Sequence, residues 1–461
     1  MRILNSSGAM MVFLSAVFAY PSQNIETMKA VIKMQSKIDS LREKIARSDS
    51  SLIRLEARIA EGEYKIQEME KRDSPSPCLD TAYRLHRQYG VPAIIRNDFT
   101  IGVGATMVLQ ATNNPNAVSR NKKRVGDAAY STNVTFEKKF DSAASRAFLR
   151  CEAAGGTGLD EDVQTFSRVN YDALGTQGIQ AVEAWYEQSF FQRKILGTIG
   201  LIDPSAHFDG NTAANDETVQ FLSQMFVINS SIEYPIDHSV VYYAPGVLVQ
   251  LEPVNWLAIT GGIFDANRDW RRIGDNIFGM GQIAFAPSIS GSQGNYRIYG
   301  WYNQMPHQDW NDLSVTEAIS YGLGLSFDQQ IGEMLTLFAR YGTRISENYD
   351  TSARSAEGPF STIFENCWSA GAQINGKLWH RDNDAAGIAA GQAPLSNGFK
   401  NANKSRQSKT ETHFELYYKI QCFDKMSISP DIQYILNPYG KDAPQNSWNI
   451  PIVGIRSEVD F

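Results

Sequence analysis

Three ionisable side chains, Glu411, His413 and Glu415, stand two residues apart in a segment whose alternate positions are Phe414, Leu416, Tyr418, Ile420 and Cys422. Side chains of a strand alternate between its faces, so the three share one face. Such a trio suggests a metal site. One strand cannot surround an ion, however, so no metal is expected, and no cofactor. The same parity puts Arg340 and Arg344 with Thr336 and Phe338, opposite Leu335, Leu337, Ala339 and Tyr341. It puts Asp431 with Ser429 and Gln433, opposite Ile428, Pro430, Ile432 and Tyr434. Glu187 and Gln188 must point to opposite faces, so at most one meets water. The patterns G-x-S-x-G, H-E-x-x-H, Walker A and G-x-G-x-x-G are absent, and the chain is not read as an enzyme. The chemistry left is that of a wetted wall, whose polar groups replace water around a passing solute.

The elements that carry these residues are amphipathic strands of about ten residues, the length that crosses a bilayer at a tilt. Ile319, Tyr321, Leu323, Leu325 and Phe327 alternate with Ser320, Gly322, Gly324, Ser326 and Asp328 in the same way. Linkers run long and short in turn. Asn437 to Trp448, Ala393 to Lys409 and Ile345 to Asn366 are long; Phe423 to Lys425, His380 to Asp384 and Asp328 to Gly332 are short. In the closing strand Val453, Ile455, Val459 and Phe461 oppose Gly454, Arg456, Glu458 and Asp460. A terminal aromatic strand with one apolar face, short turns at one end and long loops at the other describe an outer-membrane β-barrel. About sixteen antiparallel strands are expected between Asn97 and Phe461, enough to leave an aqueous lumen. Arg381 and Asp382 are expected at a periplasmic turn.

The chain start points the same way. Arg2 followed by the apolar run from Gly8 to Ala19 reads as a secretory signal cleaved after Ala19. A heptad then holds from Val31 to Met69, with Val31, Ile38, Ile45, Leu52, Ile59 and Ile66 at a. Position d carries Met34, Leu41, Ser48, Leu55, Gly62 and Met69. Lys44, Arg58 and Lys65 at g precede Asp49, Glu63 and Glu70 at e, the pairing of a parallel coil between identical chains. The expected organisation is a signal over 1–19, a periplasmic α-helical coiled coil over 24–72, a linker over 73–96 and a barrel over 97–461. A homo-oligomer follows from the coil, and a trimer is favoured over a dimer by the channel context.

Composition agrees with a barrel. The chain has 461 residues, 43% hydrophobic, with 23 Phe, 20 Tyr and 8 Trp to supply interfacial girdles. Mean hydropathy is −0.32, low because lipid-facing and lumen-facing residues cancel. A formal charge of −7 argues against a nucleic-acid partner. The four cysteines, Cys78, Cys151, Cys367 and Cys422, have no C-x-x-C spacing, and no pairing is deducible.

Three stretches resemble the carbohydrate-selective porin family of the OprB type. One runs from Trp185-Tyr-Glu-Gln-Ser-Phe-Phe191 through Lys194 to Asp203, Phe208-Asp-Gly-Asn211 and Ala214-Asn-Asp-Glu-Thr218 to Gln220-Phe221. The second is Leu337-Phe-Ala-Arg-Tyr-Gly342. The third joins Arg381-Asp-Asn-Asp384, Gly387, Glu415-Leu-Tyr-Tyr418, Pro430-Asp-Ile-Gln-Tyr434 and Asn437-Pro438 to the closing strand. The resemblance spans roughly residues 145–461 and implies a sixteen-stranded barrel passing sugars, chiefly monosaccharides, by passive diffusion. On that reading Arg340, Arg344, Glu187, Glu411, His413, Glu415 and Asp431 are the candidates for lining the sugar path. Expected partners are sugars as permeating solutes, outer-membrane lipid, further copies of the chain, and peptidoglycan or other wall polymers at the coil. The alternative is a general diffusion porin whose coil tethers the outer membrane to the wall.

Overall fold

The computed structural model describes residues 33–40, 92–96, 98–117, 125–140, 144–173, 177–235, 243–267, 270, 272–350 and 363–460. The chain divides into two units, residues 1–74 and 75–461. In the first, residues 33–40 are helical, with Ser36 Oγ donating to the Lys33 carbonyl at 2.9 Å. The remainder of the expected coil, the signal segment and Phe461 lie outside the described residues.

In the second unit, nineteen extended segments join one sheet. Three are short: Pro92–Arg96, Ser288–Ile289 and Asn348–Asp350. The other sixteen close a barrel. They are β1 (Phe99–Thr112), β2 (Val125–Phe140), β3 (Ser145–Gly155), β4 (Gln177–Phe190), β5 (Ile195–Ile202), β6 (Ala244–Val254), β7 (Leu257–Asp265) and β8 (Ile277–Phe285). Then follow β9 (Ser292–Asp309), β10 (Ala318–Ile331), β11 (Leu335–Arg344), β12 (Asn366–Asn375), β13 (Ala385–Ala393), β14 (Glu411–Phe423), β15 (Met426–Leu436) and β16 (Ile450–Asp460). Neighbours pair antiparallel, and β16 pairs back onto β1 with Arg456 opposite Val108, which leaves the barrel without an edge.

The alternation read from sequence is the alternation of the wall. Val453, Ile455, Ile432, Leu416 and Leu323 are exposed on the outside, while Arg456, Asp431, Glu415 and Ser326 are buried inside. Cys422 is exposed on the outer face of β14. Pairing between β14 and β15 lapses from Tyr418 to Lys419, opposite Pro430, which has no N–H to offer the ladder.

Three boundaries differ from expectation. Pro92–Arg96, assigned to the linker, is extended and pairs with β1. β10 runs on to Ile331, so Asp328 lies within a strand, ion-paired with Arg297 at 3.1 Å, and the turn begins later. β12 stops at Asn375, whose side chain accepts from Lys377 N, and Gly376–Trp379 makes a 3-10 turn. Gly376 approaches the Arg381 carbonyl so closely that a Cβ would sit 1.8 Å from it, which ties this turn down.

The core is not in the wall but inside it. Residues 203–235, which follow β5, fold back into the barrel. Phe208, Val227, Ile228, Ile232 and Tyr234 pack on Trp185, Leu248, Phe264, Phe278 and Trp301 of the inner face. Phe221, Met225 and Phe226 pack on Phe338, Cys367, Ala389 and Tyr417. Small residues of β13 make the room: a Cβ on Gly391 would lie 2.6 Å from Met225 Cγ. Residues 156–173 also turn inward, with Leu159, Val163 and Val169 against Val125, Ile435, Ile450 and Ile452. Each buried aromatic or aliphatic side chain is worth roughly 1.5–3 kcal/mol, so the two inserts dock firmly.

Candidate lumen site

Every sequence-selected residue faces inward, and most of them hold a loop. Arg340 (2% exposed) donates to four acceptors of the inserted segment. These are the carbonyls of Asp209 at 3.0 Å, Ala214 at 2.6 Å and Phe226 at 2.6 Å, and Asn215 Oδ1 at 2.9 Å. Its Nε also lies 3.1 Å from Asp209 Oδ2. Arg344 pairs with Glu233 at 3.2 Å, and His307 Nε2 meets the other oxygen of that carboxylate at 2.6 Å. Burial alone would raise the Glu233 carboxyl, but Arg344 and His307 outweigh it and hold it down to about 2.

The trio on β14 divides its work between two inserts. Glu411 accepts from Phe166 N at 2.9 Å, Ser167 N at 3.1 Å and Tyr439 N at 2.7 Å. Glu415 accepts from Leu222 N at 2.5 Å and Ser223 N at 2.9 Å. His413 bridges them, with Nε2 2.8 Å from Glu411 Oε1 and Nδ1 3.1 Å from Ser223 Oγ. Of the Glu187 and Gln188 pair, Glu187 is the inward one, accepting two bonds from Arg146 at 2.6 and 3.1 Å. Arg146 in turn covers the Trp185 ring at 4.9 Å. Arg381 sits apart, in the turn before β13, where it pairs with Asp384 at 2.5 Å. Asp384 also accepts from Tyr418 Oη at 2.6 Å and Gln421 N at 2.9 Å. Burial opposes ionisation there, yet these donors keep the carboxyl down to about 2.

One inward cluster keeps polar atoms in reserve. Arg456 (1% exposed) donates through Nη1 to the carbonyls of Glu217 at 2.7 Å and Gln220 at 2.8 Å, and its guanidinium lies 5.9 Å from the Tyr417 ring. Among the described residues, its Nε and Nη2 have no hydrogen-bond partner. Nor do Asp431 Oδ2, Asp172 Oδ2, Glu152 Oε1, Ser429 Oγ and Gln433 Oε1. Asp172, Asp216 and Asp431 all feel the Arg456 charge. Burial pushes the Asp172 carboxyl up to about 7, against the bond it accepts from Ser131 Oγ at 2.7 Å. Burial, then Asp216 and Asp172, hold Glu217 well above the usual range. Buried polar groups in folded proteins are nearly all paired, so these atoms, on residues no more than 6% exposed, call for water or a solute to complete them. Sequence parity turned Arg456 and Asp431 inward but singled out only Asp431. The signal for Arg456 was its position as the sole basic residue of the closing strand. Asp172 and Glu217 sit on inserts, where period-two reasoning has no purchase.

A closed sixteen-stranded barrel with an apolar outer face, an ionised inner face and long segments folded into the lumen is a porin. A family model described as "Carbohydrate-selective porin, OprB family" matches residues 124–461, and the chain belongs to that family. No curated protein matches the sequence. Among solved structures, the high-pH form of OprB from Pseudomonas putida is similar at a TM-score of 0.66 and 14% identity, covering 79% of this chain and 94% of that one. Its low-pH form gives 0.49 at 12% identity, over 79% and 93%. The outer-membrane channel DcaP of Acinetobacter baumannii gives 0.46 at 9%, over 80% and 100%. The chain is thus an outer-membrane porin through which carbohydrates diffuse.

Proposed function

We propose that the channel passes monosaccharides one at a time and that the Arg456 cluster is where each sugar is read. Residues 203–235 and 156–173 fold into the barrel and bring the Glu217 and Gln220 carbonyls and Asp172 to that cluster. The observation that carries this reading is the set of unpartnered atoms on Arg456, Asp172 and Asp431. A guanidinium edge donates and carboxylate oxygens accept, the complement of neighbouring sugar hydroxyls. Arg340, Arg344, Glu187, Glu411 and Glu415 act at one remove in this reading, by fixing the inserts and wall that shape the passage. His413 does the same through Glu411. The heptad of 24–72 is assigned to the periplasm, where it would join copies, as a trimer by preference, and offer a surface to wall polymers.

The test is glucose-dependent closure of single channels in a planar bilayer. Glucose should reduce wild-type conductance, and Arg456→Gln should raise the half-blocking concentration about tenfold or more, the loss of one charged hydrogen bond. An unchanged half-blocking concentration in a normally conducting Arg456→Gln channel would refute the assignment.

A further inference from the structure

The two inserts meet each other as well as the wall, and neutral bonds hold the join. Tyr171 N donates to the Leu222 carbonyl at 2.8 Å, and Gln224 N to the Arg168 carbonyl at 3.1 Å. Ser223 Oγ donates to the same Arg168 carbonyl at 3.2 Å. Asp172 is the next residue, buried, with Oδ1 accepting from Ser131 Oγ on β2 and Oδ2 unpartnered. The charged groups that face it are Glu152 on β3, Arg456 on β16 and Asp216 on the insert 203–235, and Glu217 of that insert feels Asp172 in turn. On its own insert, Arg168 pairs with Asp160 at 2.8 Å. Arg456 bonds to none of these carboxyls, since Nη1 holds the Glu217 and Gln220 carbonyls while Nε and Nη2 are open. Acidic groups of both inserts thus share one buried place, which is stable while they are protonated and repulsive once they ionise.

We propose that this join is a proton-operated gate. With Asp172 and Glu217 protonated, the insert 156–173 lies docked in the lumen; when they lose their protons to solvent, it lifts away and the channel widens. The moving part is 156–173 because its apolar grip is the smaller, through Leu159, Val163, Phe166 and Val169. The insert 203–235 is held by two aromatic clusters and by the ion pairs of Arg340 and Arg344. The gate does not depend on a sugar being read at Arg456. Its sign follows from burial, which holds the docked Asp172 at about 7, against 3.8 for an ordinary aspartate. Docking is strongest below pH 4 and weakens as pH rises, until the docked carboxyl itself ionises near pH 7. Asp172 alone lowers the docked-to-undocked ratio about a thousandfold in all, about a hundredfold of it between pH 5 and pH 8. Glu217, held well above the usual range by burial and then by Asp216 and Asp172, acts in the same direction.

Hydrogen exchange on the full-length protein in nanodiscs tests the gate, with rates corrected for the pH dependence of intrinsic exchange. Protection at residues 159–171 should fall about a hundredfold from pH 5 to pH 8, with β1 and β16 unchanged. Single-channel conductance should rise over the same range. Asp384 and Glu233, held at about 2, are ionised throughout and contribute nothing to the change. Histidines titrate in this range too, but their effect would survive Asp172→Asn with Glu217→Gln, which should flatten both responses. Equal protection at pH 5 and pH 8, or lost protection with unchanged conductance, would overturn the gate in the wild type alone. A double variant that keeps the wild-type pH response would overturn the assignment to Asp172 and Glu217.

Discussion

Replacing Arg340 by Leu should undock the inserted segment without opening the barrel. The side chain is buried and its guanidinium serves three carbonyls, one amide oxygen and one carboxylate of residues 203–235. Leucine fills part of the space but takes the counter-ion from Asp209, which keeps only the bonds from Asn229 N at 2.7 Å and Tyr299 Oη at 2.9 Å. Removing one member of a buried ion pair costs about 3–5 kcal/mol. At about 1.4 kcal/mol per decade, the ratio of docked to undocked insert falls by roughly two to four orders of magnitude. The strands of β11 keep their ladder with β10 and β12, so the barrel itself loses little. Single-channel conductance should rise and become noisy, and block by glucose should weaken, while the heat-modified gel shift of the barrel stays near wild type. Arg340→Lys should rescue only in part, because one ammonium cannot span acceptors set around a planar fork. A folded Arg340→Leu barrel with wild-type conductance and wild-type glucose block would refute the reasoning.

Other perturbations probe the remaining fasteners. Glu415→Gln leaves one oxygen where two accept from Leu222 N and Ser223 N, which should cost about 0.5–1.5 kcal/mol of local stability. Amide exchange at residues 220–224 should quicken correspondingly, with β14 itself unchanged. Asp384→Asn should lower the midpoint of thermal unfolding by loosening the turn between β12 and β13. Because the Asp384 carboxyl is held at about 2 against an ordinary 3.8, its contribution is whole above pH 4 and fades as pH falls towards 2. Glu233, held at about 2 against 4.5, follows the same sign: its hold on Arg344 and His307 should persist at pH 5 and fail towards pH 2, read as a rise in conductance noise.

Much of the barrel was legible because period two leaves no ambiguity once a strand is long. Glu411 to Cys422 sorts every charge to one side, and β14 follows that sorting. Closure by β16 was legible in the same way from Val453, Ile455 and Val459. The inward course of 203–235 was not, because alternation says nothing about a loop. Its composition did carry a clue: Phe208, Phe221, Phe226, Ile228 and Ile232 are apolar residues that an external loop would have no reason to bear. That is also why Arg340 read as open wall. Parity gave its direction correctly, and only the folded insert supplies the carbonyls it holds.

Diffraction from crystals soaked in a monosaccharide tests the central claim most directly. Sugar density is expected with a hydroxyl within about 3.2 Å of Arg456 Nε or Nη2 and another within reach of Asp172 or Asp431. Sugar bound elsewhere in the lumen, with the Arg456 cluster left unliganded, would contradict it.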